Sequence, residues 1–237
     1  MLATLEVPSW KDFWGALGLV ILYTLPVHLL VKMFPAMEDG NTQSLLSSLA
    51  VAAAIYPAAH RLGFRLGAAG AYVARLKAEL LPAFKYFILM LALLFVGNHV
   101  YTMALAPWDL HWTNTLLLWN DMANNPMVSD GRIGEVLGSP LLLPGYFLII
   151  CVFPPLIEEF IMRRWLYVAM RRKMPLAPAI LLNGTLFGLM HGKDFMGTAM
   201  HAFFFCWVYE RTGKLQVPIL VHAYGNLFAL LMIFGGK

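Results

Sequence analysis

Glu158 and Glu159 stand side by side in a stretch apolar enough to cross a bilayer, and His191 and His222 lie in two later stretches of the same kind. Keeping an ionisable side chain in hydrocarbon is costly, so such residues mark functional sites and find their partners on neighbouring helices. Two carboxylates and two imidazoles point to proton transfer. Glu159 and Arg163 are four residues apart, share a helix face and can pair. Glu158 then points roughly 100° away, one angular step along an α-helix. This spacing separates a structural carboxylate from a chemical one. Phe187 and His191 share a face in the same way, as do His222 and Asn226. Two donors on one face can hold an oxyanion.

The elements that must position these residues are membrane helices. Of 237 residues, 60% are hydrophobic and 13% charged, with a mean hydropathy of +0.68, which leaves too little polar surface to coat a soluble globule. A spanning helix needs about 20 apolar residues. That length predicts spans near 13–32, 44–60, 83–105, 141–162, 176–192, 195–210 and 215–235. The expected fold is an all-α integral membrane protein of about seven transmembrane helices, within a range of six to eight, enclosing a polar intramembrane site. Residues 1–237 form a single polytopic domain. No segment shows the alternating pattern of an outer-membrane barrel strand. The first span is followed by Lys32-Met33-Phe34-Pro35 rather than a cleavage site, so it reads as a retained helix. Cys151 and Cys206 fall inside spans, where Cys behaves as a small hydrophobe.

The net charge of +4 says less than its distribution. Arg61, Arg65, Arg75, Lys77 and Lys85 fill the second connection, and Arg163, Arg164, Arg171, Arg172 and Lys173 the fourth. The third, 106–140, holds Asp109, Asp121, Asp130 and Glu135 against Arg132. Because Lys and Arg are retained on the cytoplasmic side, the chain is expected to run N-terminus inside and C-terminus outside, as a multi-pass protein of a prokaryotic cytoplasmic membrane. Orientation accounts for the basic residues, so nucleic-acid binding is not implied. Residues 62–81 suit either a helix lying in the cytoplasmic interface or a short loop and helix. Trp108, Trp112 and Trp119 suit an outer interfacial cap.

Depth brings the polar residues together. Glu158 lies roughly sixteen residues before the turn near Lys173-Met174-Pro175, and His191 roughly sixteen after it, so at about 1.5 Å per residue an antiparallel pair sets them level. His222 enters from the same side and reaches a compatible depth. Pro154-Pro155 interrupts the helix just before the acidic pair, and irregular backbone at membrane depth is tolerated where it lines a protected cavity. Gly184, Gly188 and Gly192 recur every four residues, a spacing that favours close helix approach and would bring His191 against the fourth span.

These residues also carry a resemblance. Glu158-Glu159-Phe-Ile-Met-Arg163 is similar to the EExxxR motif, Phe187-Gly-Leu-Met-His191 to FxxxH, and His222-Ala-Tyr-Gly-Asn226 to HxxxN of the CPBP family, the intramembrane CAAX-protease and bacteriocin-processing family that includes the Rce1-type enzymes. The turn beginning at Glu210-Arg-Thr-Gly-Lys-Leu also resembles the family, and the similar portion runs from about 140 to 235. The resemblance implies an intramembrane endopeptidase. Glu158 and His191 would activate a water, and His222 and Asn226 would steady the oxyanion. Glu159, Arg163 and Phe187 would support the site. Its substrate would be a membrane-associated protein or peptide, cut near its C-terminus and in some relatives lipidated.

The same residues admit other readings. Glu158 could instead form a locking ion pair with Arg163 or Arg164. Zinc held by His191, His222 and Glu158 is chemically possible, but no HExxH helix is present and Asn226 is a better oxyanion donor than zinc ligand, so no cofactor is expected. His201 belongs to none of the motifs and reads as a helix-to-helix hydrogen-bonding residue. A non-proteolytic scaffold or immunity protein of the same fold is the alternative function. A proton-coupled transporter would show broken helices in corresponding halves, and none are seen.

Overall fold

The computed structural model describes residues 5–7, 9–33, 40–105, 142–191 and 195–235, and every regular element among them is helical. The predicted cap at 106–140, with Trp108, Trp112, Trp119 and His111, lies outside the described residues, as does Gly192. Three helices come first: α1 (Trp10–Met33), α2 (Gly40–Arg61) and α3 (Ala69–Leu105). A composite rod follows, made of α4 (Leu142–Phe147), π1 (Leu148–Val152), α5 (Phe153–Glu159), π2 (Phe160–Tyr167) and α6 (Val168–Arg171). The last helices are α7 (Leu176–Met190), α8 (Phe195–Thr212) and α9 (Gln216–Gly235). A helix therefore overlies each of the seven apolar stretches read from the sequence.

Local chemistry sets several boundaries. Ser9 caps α1: the Asp12 N–H donates to Ser9 Oγ at 3.3 Å, and the Ser9 N–H donates back to Asp12 Oδ2 at 2.9 Å, a reciprocal capping box that satisfies two otherwise orphaned donors. At the end of α8, Gly213 takes a φ of 65° and its N–H donates to the Tyr209 carbonyl at 2.8 Å. A side chain there would strain the left-handed turn that reverses the chain into α9.

The helix lying in the interface over 62–81 is not observed. Residues 62–68 form a turn closed by Tyr72, whose hydroxyl accepts from the Arg65 N–H at 3.1 Å and donates to the Gly63 carbonyl at 3.0 Å. From Ala69 onward one helix of 37 residues runs on through the apolar segment. The Ala-, Arg-, Lys-, Glu- and Leu-rich run before Pro82 is strongly helix-forming, and no turn residue separates it from the span. Gly70–Gly97 is long and apolar enough to cross a membrane. It exposes Leu81 and Phe95, at 65% and 74%, while Ala83 and Met90 are buried. Large apolar groups thus face outward. The charged side chains of Glu159 and Arg163 and the amide of Asn183 face inward, fully buried. That inverted arrangement suits lipid as the surrounding solvent.

Two of the apolar clusters among the described residues pack the helices around the site. Ala83, Phe87 and Met90 of α3 meet Phe205 and Val208 of α8 and Val217 and Val221 of α9. Tyr167, Val168 and Met170 meet Ala179, Cys206 and Tyr209 of α7 and α8. The glycine stripe on α7 faces α8, not the fourth-span rod as its spacing suggested. A Cβ on Gly188 would lie 2.5 Å from the Phe195 carbonyl oxygen, and one on Gly184 would lie 2.1 Å from the Phe203 ring. Spacing identifies a close approach but not the partner, because the helix's rotation decides which neighbour meets the stripe.

Charged residues gather at one end of the bundle. Arg61 of α2 pairs with Asp12 of α1, and Lys214 pairs with Glu79 of α3 at 2.6 Å. Arg171 grips Glu210 through both carboxylate oxygens at 3.1 and 3.2 Å and donates to the Met174 carbonyl at 2.9 Å. Arg164 and Arg172 bond the Glu6 and Leu5 carbonyls. Tyr167 donates to Glu210 at 3.0 Å. Burial, and then the adjacent Glu210 carboxylate, push the Tyr167 phenol far above its usual range, so it stays a donor.

Candidate active site

The acidic pair sits where the rod changes its hydrogen-bonding period, between α5 and π2. Such π-helical turns frequently accompany functional sites. The two carboxylates occupy different environments. Glu159 is wholly buried, whereas the Glu158 side chain is 33% exposed, so one is sealed in protein and the other is reachable.

Glu159 has two cationic or protonatable partners. Its Oε2 lies 3.0 Å from Arg163 Nε, a close ionic contact without the alignment of a hydrogen bond. Its Oε1 lies 3.1 Å from His222 Nδ1. Arg163 is also fully buried. Its guanidinium carbon stands 4.9 Å from the Phe187 ring centre and 5.3 Å from that of Phe205, so two aromatic faces stabilise the charge. Arg163 Nη2 donates to the Ala202 carbonyl at 3.5 Å, and Nη1 has no hydrogen-bond partner among the described residues. The i, i+4 pairing read from the sequence is present, and His222 joins it.

His222 bridges the acidic pair. While Nδ1 faces Glu159, Nε2 lies 3.9 Å from Glu158 Oε2, about 1 Å longer than a hydrogen bond. An ionised carboxylate only accepts, so with Glu159 in that form the contact takes its proton from Nδ1, and Nε2 is the nitrogen that faces Glu158. The ring lies nearly parallel to Phe205 at 5.1 Å and edge-on to Phe187 at 6.3 Å. His191 follows the last residue of α7 and makes a 2.8 Å Nδ1 contact with the Phe187 carbonyl. A carbonyl also only accepts, which places the proton on Nδ1 and leaves Nε2 open. Phe187 lies against His191 with ring centres 4.5 Å apart and the planes tilted by 41°, and so touches Arg163 and both imidazoles. Glu158 lies in the electrostatic field of His222, His191, Glu159 and Arg163.

Asn226, one turn after His222 on α9, donates from Nδ2 to the Ile150 carbonyl in π1 at 2.8 Å. Six of the seven residues singled out in the sequence, Glu158, Glu159, Arg163, Phe187, His191 and His222, therefore meet from three helices, while Asn226 contacts the rod at Ile150, one turn of α9 beyond His222. The supporting shell of this site was not anticipated. Asn183, fully buried on α7, donates to the Met162 carbonyl in π2 at 2.9 Å and accepts from Cys206 Sγ at 3.1 Å. A lone amide within Leu176–Met190 could have been found by the same cost argument that singled out Glu158. Phe205 and Ala202 had no comparable signal. His201 stacks at 6.2 Å on Phe205 of its own helix, α8, a contact within one helix and not the helix-to-helix bond read from the sequence. For zinc, the nitrogens left open are Nε2 of His191 and of His222; among the described residues no three His, Cys, Asp or Glu side chains form a group that could hold a metal ion.

Residues 140–228 match the family model described as Type II CAAX prenyl endopeptidase Rce1-like. Over 92 residues the chain is 28% identical to the Bacillus subtilis (strain 168) protein named Putative membrane peptidase YdiL. That stretch is 38% of this chain and 38% of the relative, so the match spans little more than a third of either. No solved structure matches the chain.

Proposed function

The chain is a CPBP family protein through its C-terminal region, residues 140–228, and on that premise we propose that it is an intramembrane endopeptidase in which Glu158 activates the attacking water. One observation carries this reading: of two adjacent carboxylates, Glu158 is reachable and faces an open imidazole nitrogen, while Glu159 is sealed and already paired. The base that chemistry needs is the one left unsatisfied.

In this mechanism Glu158 takes a proton from water, with His191 helping to hold that water. The water oxygen bonds to the scissile carbonyl carbon and the carbonyl π pair moves onto oxygen. His222 and Asn226 stabilise the oxyanion. His222 donates from Nε2 once it shares the proton collected by Glu158, and Glu159 and Arg163 offset the charge on the ring. Collapse of the tetrahedral intermediate reforms the carbonyl and breaks the C–N bond, and the proton returns from His222 through Glu158 to the leaving amine. Pre-set donors of this kind supply a large share of the barrier reduction in acyl transfer. No metal ion takes part.

The proposed topology has seven spans, N-terminus inside, with the Arg171–Glu210 end cytoplasmic, because that end gathers the basic residues. The proposed substrate is a membrane-associated or lipidated protein or peptide, cut close to its C-terminus. The test compares membrane and surface proteins from cells carrying wild-type or Glu158→Ala protein. A new terminus present only with wild type is expected; identical termini in both would sink the reading.

A further inference from the structure

Asn226 is held by a carbonyl that ought to be occupied already. In an α-helix the Ile150 oxygen would accept from the N–H of residue 154, and in a π-helix from that of residue 155. Both positions are proline and have no N–H. The preceding turn is π-helical, closed by the Phe153 N–H on the Leu148 carbonyl, so the period changes at this point and neither pattern can serve Ile150. A backbone carbonyl away from water requires a donor. Asn226 Nδ2 supplies it at 2.8 Å from a different helix.

We infer that Pro154, Pro155 and the Ile150 carbonyl are positioning residues for Asn226: the prolines strip Ile150 of its helical donor, and the bare carbonyl fixes the Asn226 amide with one N–H spent and the other free for an oxyanion. The inference rests on the endopeptidase reading and deepens it. Ile150 oxygen only accepts, so it selects the NH2 side of a carboxamide that could otherwise present its oxygen. The amide is planar, so fixing one N–H fixes the direction of the other. The fourth-span rod thereby orients both proposed donors of α9, His222 through Glu159 and Asn226 through Ile150. Orientation before reaction is what makes such donors effective. A chain with only a packing role for the proline pair would have no reason to couple it to Asn226.

The coupling is measurable as non-additivity. The Pro154→Ala/Pro155→Ala protein offers Ile150 a backbone N–H in either hydrogen-bonding pattern and so competes with Asn226. The readout is the rate at which a Glu158-dependent terminus appears in cells. The proline variant should lose about 10- to 100-fold and Asn226→Ala about 100-fold, and the combined variant should be no slower than Asn226→Ala alone. Losses that multiply, or a proline variant at the wild-type rate, would overturn the inference. Each single proline variant is measured alongside, in case the double variant is not produced. In parallel, protein labelled with 15N-asparagine in lipid nanodiscs reports the Asn226 side-chain NH2 signals, recognised by their loss in Asn226→Gln. Those signals should shift in the proline variants, and unchanged signals would overturn the inference without any substrate being known. Absence of any Glu158-dependent terminus would instead remove the endopeptidase reading and leave the spectroscopic result to decide the positioning.

Discussion

Glu159 Oε1 lies 3.1 Å from His222 Nδ1, and that contact determines which nitrogen of the ring faces Glu158. A carboxylate sealed from solvent thereby sets the tautomer of an imidazole that meets a reachable one. The proposed division of labour gives Glu158 the chemistry and Glu159 the orientation, and each role predicts a different response to mutation.

Glu158→Gln keeps the size of the side chain and removes the base. Cleavage should fall by about 10²- to 10⁴-fold, measured as terminus formation, while thermal unfolding in detergent stays near wild type.

Glu159→Gln should show the reverse emphasis. It leaves the Arg163 guanidinium buried without its counter-charge, a loss of about 3–5 kcal/mol for a pair this deeply enclosed. The expected result is a clear drop in unfolding temperature and yield, with activity falling alongside because the His222 tautomer is no longer imposed.

Asn183→Leu tests the supporting shell. The Met162 carbonyl loses its donor and the Cys206 thiol its acceptor, which should cost about 1–3 kcal/mol. An unfolding temperature equal to wild type would show that π2 does not depend on this amide.

Gly188→Ala should destabilise by about 1–3 kcal/mol through overpacking, because its new methyl would stand 2.5 Å from a backbone oxygen that cannot rotate away. Gly70→Ala is the control, with nothing within 4 Å of the added carbon, and should be neutral or slightly stabilising. The contrast is read from thermal unfolding of both variants in one detergent.

Chelation tests the metal-free mechanism. Purified protein should keep its cleavage rate after exhaustive treatment with a zinc chelator and should hold far less than one zinc per chain. Loss of activity that returns with added zinc would instead assign Nε2 of His191 and of His222 to a metal.

What the sequence determined by itself is what depends on local periodicity. Hydropathy located the helices because each is apolar over its own length. The four-residue spacing of Glu159 and Arg163 separated the acidic pair because side chains one turn apart on the same helix meet whatever surrounds them. The three motifs could be assigned to one region because depth is counted along the chain. Tertiary structure alone decided the rest. The glycine stripe found α8 rather than the fourth-span rod, the apparent interfacial segment became the first turns of α3, Asn183 reached Met162 and Cys206, and Asn226 reached Ile150. Each depends on how far one helix is rotated against another. Rotation is set by packing between residues distant in the chain, and such contacts leave no period in the sequence to read.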